Sequence, residues 1–429
     1  MTFQAAACGS PITRITMKEP DYHMVDLISK GVDRAKLGEA VRVYEEITAG
    51  GNAIPERSHY AMGWIIYYAL HQFGEREVGR RKHLLRHYLA LRTPRPHKLH
   101  SMILCEALRL RENVARQKEQ LRTAAEAPET FSLMRFLQLW DTANLRPGDW
   151  LRHEYEGRRL SSTVEKLITL YVGEATKGTD SPSGQFTALI DRALSEYPDS
   201  HALLGQRASL HAMTGDREAA RRLLRTALVM APGKFHLWSR LASLIDTESE
   251  PRLKMALLVR AMQTPGQQDF KGRVRLDMAR IWITRELFGE AVWELAEVRR
   301  LYEGKGWHLP RAYAEMTGKI PAGTAAKDPS AVYSRLSPLA EAEIYSSIPA
   351  ITARKTYHKG AQPASPSPAG WKKATETAWR VTDGQGRNYW FQPSRYGIDP
   401  ELPLGTPLSI RLHNDKIVHA STAAQHSQI

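Results

Sequence analysis

The sequence predicts a mainly α-helical chain of stacked helical hairpins followed by a small antiparallel β module. Three observations carry that reading. Ala193, Ala227 and Ala261 are 34 apart, and Pro198, Pro232 and Pro265 follow them at 34 and 33, a period typical of repeated helical hairpins. A stretch rich in Pro, Ser and Ala, Ala361 to Gly370, reads as a linker. From Trp371 onward the apolar spacing changes from three-and-four to two, the change from helix to strand.

One hairpin unit, His201 to Pro232, shows the logic. A first helix is expected from about Ala202 to Met213, with Leu203, Leu204, Ala208, Leu210 and Ala212 apolar. Thr214-Gly215-Asp216 makes the turn: the glycine takes the left-handed position, and Asp216 caps the next helix. A second helix is expected from about Arg217 to Met230, with Ala220, Leu223, Leu224, Ala227 and Leu228 on one stripe. Its alanines let the two helices approach, and Pro232 ends it because proline cannot continue a helix. The unit resembles a tetratricopeptide repeat: Ala208, Ala220, Ala227 and Pro232 match the small residues and proline of that family's pattern. Arg207 and His211 stand where the family has a leucine and an aromatic residue, and the next unit supplies Trp238, Leu241 and Ala242 at the first-helix spacing. The resemblance implies an α-solenoid and a surface that holds a protein partner.

Taken in order, residues 1–20 read as a flexible arm, 21–180 as a basic helical region and 181–320 as the repeats. Residues 321–370 read as a partly disordered linker, 371–420 as the β module and 421–429 as a tail. Leu37 to Ile47 is an amphipathic helix. Pro55 to Phe73 is the most aromatic one: Tyr60, Trp64, Tyr67, Tyr68 and His71 recur at three and four, with Gly63 admitting a neighbouring helix. Core packing is the favoured use of that row and a ligand groove the alternative. Glu129 to Trp140 and Ser161 to Ala175 are further helices, on either side of an interruption at Arg146 to Trp150. After Pro265, Lys271 to Glu286 and Phe288 to Glu303 form one more hairpin, Gly304 to Lys319 holds a capping helix, and Ala331 to Tyr345 is weakly helical.

The chain of 429 residues carries 60 Lys and Arg against 46 Asp and Glu, a formal charge of +14. A basic balance favours an acidic partner, nucleic acid first and an acidic protein tail second; a solvated basic surface is the alternative. Over half of the excess lies in Glu75 to Arg122, which holds 13 basic and five acidic residues. Within it Gly79 to Arg92 reads as a basic helix, and Arg80, Arg81, Lys82 and Arg86 are candidates for phosphate-backbone contact. Solvated surface or protein contact remains open for the same residues. His83 and His87 have the i, i+4 spacing of a shared metal, but no third ligand is evident, so no metal is expected. Two cysteines, Cys8 and Cys105, supply neither a disulfide framework nor a zinc spacing, which fits a cytoplasmic protein. The opening residues lack the pattern of an ordinary secretory signal, and the longest apolar run, Trp64 to Leu70, is too short to cross a bilayer.

In the β module, Glu376 to Asp383 and Arg387 to Gln392 are strands around a Gly384-Gln385-Gly386 turn. Thr406 to His413 and Lys416 to Ala420 form a hairpin across Asn414-Asp415. Tyr389 and Phe391 share one face of their strand and Trp390 the other. The pattern is similar to cold-shock and related oligonucleotide-binding barrels. That resemblance implies base stacking by Trp379, Tyr389 and Phe391 with Arg387 and Arg395 near phosphates. The barrel's own core is the other use of these aromatics. Repeats followed by such a barrel also resemble repeat-containing components of bacterial conflict systems.

No phosphate loop, dinucleotide fingerprint, Gly-x-Ser-x-Gly, paired cysteines or His-Glu-x-x-His occurs. The expectation is therefore a non-catalytic scaffold without a cofactor, in which repeats hold a protein partner and basic helices or the β module hold RNA or single-stranded DNA. A peptide-docking adaptor without nucleic acid, or an enzyme with a dispersed site, is the alternative.

Overall fold

The computed structural model describes residues 59–72, 77–120, 130–156, 158–178, 184–264, 268–360, 365–367, 370–372, 377–396 and 398–422. The arm at 1–20, the helix expected over Leu37 to Ile47 and much of Ala361 to Gly370 lie outside them. The chain divides into two units, Met1–Ala193 and Leu194–Ile429.

In the first unit the helices are α1 (His59–Gln72), α2 (Val78–Ala90), α3 (Lys98–Gln120), α4 (Leu133–Trp140) and α5 (Thr163–Ala175). A short hairpin, β1 (His153–Tyr155) and β2 (Arg158–Leu160), stands before α5, and α6 (Gly184–Glu196) runs across the division. The core gathers Ile65, Ile66, Leu70, Leu84, Leu85, Tyr88, Ile103, Leu104 and Trp140. Gly63 allows α3 to come close: a Cβ there would stand 2.9 Å from Leu99 Cδ2. The aromatic row of α1 is not the core face. Ile65, Ile66, Ala69 and Leu70 face inward, while Tyr60, Trp64, Tyr67 and Tyr68 lie half-buried and pack on one another. Helix α4 is capped by its own Ser132 and by Glu174 of α5, whose carboxylate accepts from Ser132 Oγ and from the Leu133 amide at 2.6 and 3.0 Å.

The second unit holds three helical hairpins. They are α7 (His201–Met213) with α8 (Arg217–Met230), α9 (Phe235–Leu244) with α10 (Pro251–Gln263), and α11 (Gly272–Thr284) with α12 (Phe288–Glu303). The expected small residues sit where helices meet: Ala208, Ala220, Ala227, Ala242, Ala261, Ala279 and Ala291 are buried. Gly215 has a φ of +84° and Asp216 caps α8 by accepting from the Ala219 amide. Helix α13 (Arg311–Thr317) follows, packed on α11 and α12.

The stretch that reads as a linker is ordered differently. It contains α14 (Ser330–Tyr345), which lies against α8 and α10 and buries Leu336, Ala340, Ile344 and Tyr345 in the hairpins' core. Its acids meet the arginines of those helices: Glu343 accepts from Arg221 and from Arg225 Nε, and Glu341 pairs with Arg260 at 3.4 Å. The β module begins at Ala350 and not at 371. Its strands are β3 (Ala350–Lys359), β6 (Ala378–Asp383), β7 (Asn388–Phe391), β8 (Pro407–His413) and β9 (Lys416–Thr422), with a two-stranded flap β4 (Ser365–Ser367) and β5 (Gly370–Lys372). They make a curled antiparallel sheet in the order β7-β6-β3-β8-β9. The central strand β3 pairs with β6 on one side and β8 on the other. The ladder ends at β7 and β9, which come into contact across the gap. The expected β8–β9 hairpin is present, with Asn414 and Asp415 at φ of 51° and 58° in its turn.

Candidate nucleic-acid interface

The basic run on α2 splits by helical period. Arg81 is buried at 2% exposure, and its Nη2 donates to Glu106 Oε2 at 3.0 Å. Glu106, also buried, accepts from Arg109 Nη1 at 2.6 Å. A guanidinium in the interior needs such a carboxylate, because an unpaired buried charge is far too costly. Arg81 therefore leaves the candidate set as a core residue. Arg80 and Arg86 are exposed, and Lys82 donates to the Thr130 carbonyl at 3.3 Å. Arg80, His83, Arg86 and His87 form the outward flank, with the two imidazoles 4.0 Å apart. Among the described residues no group of three or more His, Cys, Asp and Glu gathers to hold a metal.

The three aromatics expected to stack on bases point into the β module's own core. Trp379 is fully buried, and Tyr389 and Phe391 are buried beside Val381, Ile398, Leu408 and Ile410. Trp379 Nε1 donates to the Pro400 carbonyl at 3.2 Å. Lys355 of β3 is interior too, its Nζ 4.0 Å from the centre of the Trp379 ring and donating to the Leu402 carbonyl at 2.5 Å. Burial holds its pKa below the usual lysine range. Arg387 is tied to Asp383, Nε to Oδ2 at 2.9 Å, and Asp383 also accepts from the Gln385 and Arg387 amides and the Tyr389 hydroxyl. Burial alone would raise the Asp383 carboxyl, and these donors together hold it below its usual range. This is a turn-closing network. The side chain of Arg395 lies outside the described residues.

The opposite face of the same strands is where the open chemistry lies. Side chains alternate along a strand, so burying Trp379, Tyr389 and Phe391 turns Arg380 and Trp390 outward. A bulge at Thr356 in β3 brings Tyr357 opposite Arg380, and Arg380 opposite Trp390. The result is one cross-strand row, Tyr357–Arg380–Trp390. Trp390 is 56% exposed and Tyr357 46%. Their rings meet edge to face at 5.7 Å, and the Arg380 guanidinium stands 5.6 Å from the Tyr357 ring centre. Arg380 Nε is shut off from water and has no hydrogen-bond partner. One register step away Thr356, Thr382 and Asn388 form a hydrogen-bonded polar row. Arg354 and Lys359 are exposed on the same strands, and the one acid of β3, β6 and β7, Asp383, faces inward.

The other half of the sheet is closed off by α14. His419 Nε2 meets Glu341 Oε2 at 2.9 Å, and Arg411 Nη1 donates to the Tyr345 and Ile348 carbonyls. Among the described residues, the β3-β6-β7 half of that face is left open. Trp390 is legible in the sequence as the aromatic facing away from Tyr389 and Phe391. Tyr357 is not, because the composition around its strand is that of a linker.

Elsewhere, a cleft of about 630 Å³ opens between α12, α13 and the loop after α13, lined by Leu295, Arg299, Tyr313, Ile320 and Thr324 among others. No curated protein matches the chain. A family model described as a domain of unknown function (DUF7017) matches residues 206–340, the segment that runs from within α7 into α14 and so joins the hairpins to the helix seated on them.

Proposed function

We propose that the chain is a non-catalytic scaffold: helical repeats of tetratricopeptide type hold a protein partner, and the open half of the β sheet binds a single nucleic-acid strand. The observation that carries the proposal is the row Tyr357–Arg380–Trp390, two exposed rings with a guanidinium beside the Tyr357 ring, on strands β3, β6 and β7, whose one acid faces inward. Bases present a π-face whatever their identity, so exposed aromatics hold single strands with little sequence preference. Arginine and lysine beside them contact phosphate and make binding depend on salt. A duplex hides its base faces and is the poorer ligand for such a surface. The exposed flank of α2, with Arg80 and Arg86, adds sequence-independent phosphate contacts. The frame is the resemblance of this layout to repeat-containing components of bacterial conflict systems, in a cytoplasmic setting.

The test is fluorescence anisotropy of the full chain with labelled single-stranded RNA, single-stranded DNA and duplex at two salt concentrations. Single strands are expected to bind more tightly than duplex, with affinity falling steeply with salt. Trp390→Ala is expected to weaken binding by about tenfold, the scale of one stacked base. Equal binding by wild type and Trp390→Ala would remove the sheet face from the proposal.

A further inference from the structure

The cations on the open half of the sheet occupy different places. Arg354 and Lys359 are exposed toward the two ends of β3, on either side of Tyr357. Arg354 stands opposite Thr382 and Lys359 opposite Ala378, each one register step from the aromatic row, a distance of about 7 Å along a strand. Arg380 lies inside that row, with Tyr357 opposite it on β3 and Trp390 opposite it on β7. Opposed side chains on one face start about 5 Å apart at Cβ, so both rings border the Arg380 side chain. Among the described residues none of these three cations pairs with a carboxylate.

The Arg380 side chain is set in place before any ligand arrives. Its guanidinium stands 5.6 Å from the centre of the Tyr357 ring, where the ring's negative face attracts a cation. Nε is enclosed and bare, whereas Nη1 and Nη2 are not enclosed and donate to no acceptor among the described residues. What the group offers a ligand is therefore its outer end, two N–H donors fixed in one plane. Such a fork is matched by two acceptors side by side. A nucleic-acid strand supplies them in two ways, as two oxygens of one phosphate or as O6 and N7 of guanine. Position decides between them. A base laid on the Trp390 ring brings its edge toward the neighbouring strand of the row, where Arg380 stands. The phosphates on either side of that base are met by Arg354 and Lys359, outside the row. Adenine and cytosine present an amino donor where guanine has O6, so with them a donor faces a donor.

We infer that Arg380 is a specificity-determining residue: the open face takes single strands that carry a guanine at the stacked position, whose O6 and N7 accept from the two outer nitrogens of Arg380. The inference rests on the nucleic-acid reading given above and adds a base preference to it. Stacking on Trp390 and Tyr357 supplies affinity with little regard to sequence. Arg354 and Lys359 contact phosphates, which position the strand and carry no sequence information. Arg380 contributes the discrimination.

The experiment uses the full chain and labelled single-stranded oligouridines of about ten nucleotides, within the usual site size, that carry one central guanosine or one central adenosine. These two purines stack alike and differ at the edge. Anisotropy titrations at low salt are expected to show the guanosine strand binding about tenfold more tightly than the adenosine strand, the scale of one bidentate contact. Arg380→Lys keeps the charge and loses the fork, and is expected to bring the two affinities to within about twofold of each other. In the wild type, a strand with deazaguanosine, which has a carbon in place of N7, is expected to lose about half of the preference on a logarithmic scale. If wild type binds the guanosine and adenosine strands equally while Trp390→Ala weakens both, the inference fails and the sheet-face reading stands. A guanine preference that survives Arg380→Lys unchanged overturns the inference as well. If wild type binds no strand at low salt, both fail together. Circular dichroism checks the fold, and should Arg380→Lys perturb it, the deazaguanosine strand decides: a reduced preference supports the inference and an unchanged one overturns it.

Discussion

The imidazole of His100 lies flat on the indole of Trp140, 4.5 Å between ring centres and 4° from parallel. The pair is locked in both directions: His100 Nε2 meets the Trp140 carbonyl at 3.1 Å, and Trp140 Nε1 donates to the His100 carbonyl at 3.2 Å. The remaining nitrogen, Nδ1, meets the Tyr88 hydroxyl at 3.2 Å. A histidine enclosed in this way is kept neutral, and burial pushes its pKa down to about 4.

A pH dependence of stability follows. The unfolded chain takes up a proton on His100 below its ordinary value of 6.5, and the folded chain only near 4. The contribution of this group is therefore complete above about 6.5 and is lost as pH falls toward 4, to a total of roughly 3 kcal/mol. Thermal melts at pH 7 and pH 4.5 measure it. His100→Gln is expected to melt lower than wild type at pH 7 and to lose less between the two values. An equal loss in both proteins would count against the assignment.

Arg81 and Arg86 are five residues apart on one helix and are expected to behave oppositely. Arg81→Ala takes from the buried Glu106 carboxylate its interior partner and leaves it Arg109, at a cost of about 1–3 kcal/mol. Arg86→Ala, on the exposed flank, is expected to change stability by less than about 0.5 kcal/mol and to weaken nucleic-acid binding. Urea unfolding and anisotropy on the two variants separate these outcomes.

Trp379 and Trp390 make the matching pair in the sheet. Trp379→Ala empties the centre of the module's core, and a loss of about 3–5 kcal/mol is expected. Trp390→Ala removes an exposed ring, so its melting temperature should stay within a degree or two of wild type. A large drop for Trp390→Ala would mean that the ring packs against something in the folded protein.

Glu343 is the acid through which α14 meets Arg221 and Arg225. Glu343→Ala removes this shared carboxylate from Arg225 and leaves Arg221 to Glu250 on its own hairpin array, and is expected to loosen α14 before the hairpins melt. Hydrogen exchange followed by mass spectrometry is the measurement: faster exchange is expected over 330–345, with little change over 201–230.

The hairpins are legible in the sequence because small residues, a turn glycine, a capping aspartate and a terminating proline all point the same way. Phe288–Glu303 and the Asn414-Asp415 hairpin fall where the pattern puts them. Strand β3 is not legible, for a physical reason. Its inward positions include Ala353 and Lys355 rather than large apolar residues, so the alternation that marks a half-buried strand is missing. The interior lysine is neutral to that signal, since its value comes from the Leu402 carbonyl and the Trp379 ring, which lie far along the chain. Arg81 fails for a similar reason: nothing in a basic run shows which arginine has a carboxylate waiting 25 residues away. For β7 the alternation separates two faces without saying which is covered. Two aromatics against one is the available hint that Tyr389 and Phe391 lie inside.

Because β3 is the middle rung of the sheet, the composition of the chain is a misleading guide to where it can be divided. Severing it at the Pro- and Ser-rich stretch would strand Ala350–Lys359 on the helical side. The remainder would be two separate ribbons, β6 with β7 and β8 with β9, with Trp379 and Val381 uncovered on one and Leu408 and Ile410 on the other. Bare ribbons of that kind associate with each other and with neighbours. The smallest autonomous piece bearing the sheet therefore begins before Ala350, and proteolytic nicking within 361–369 should leave both fragments held together until denaturant is added.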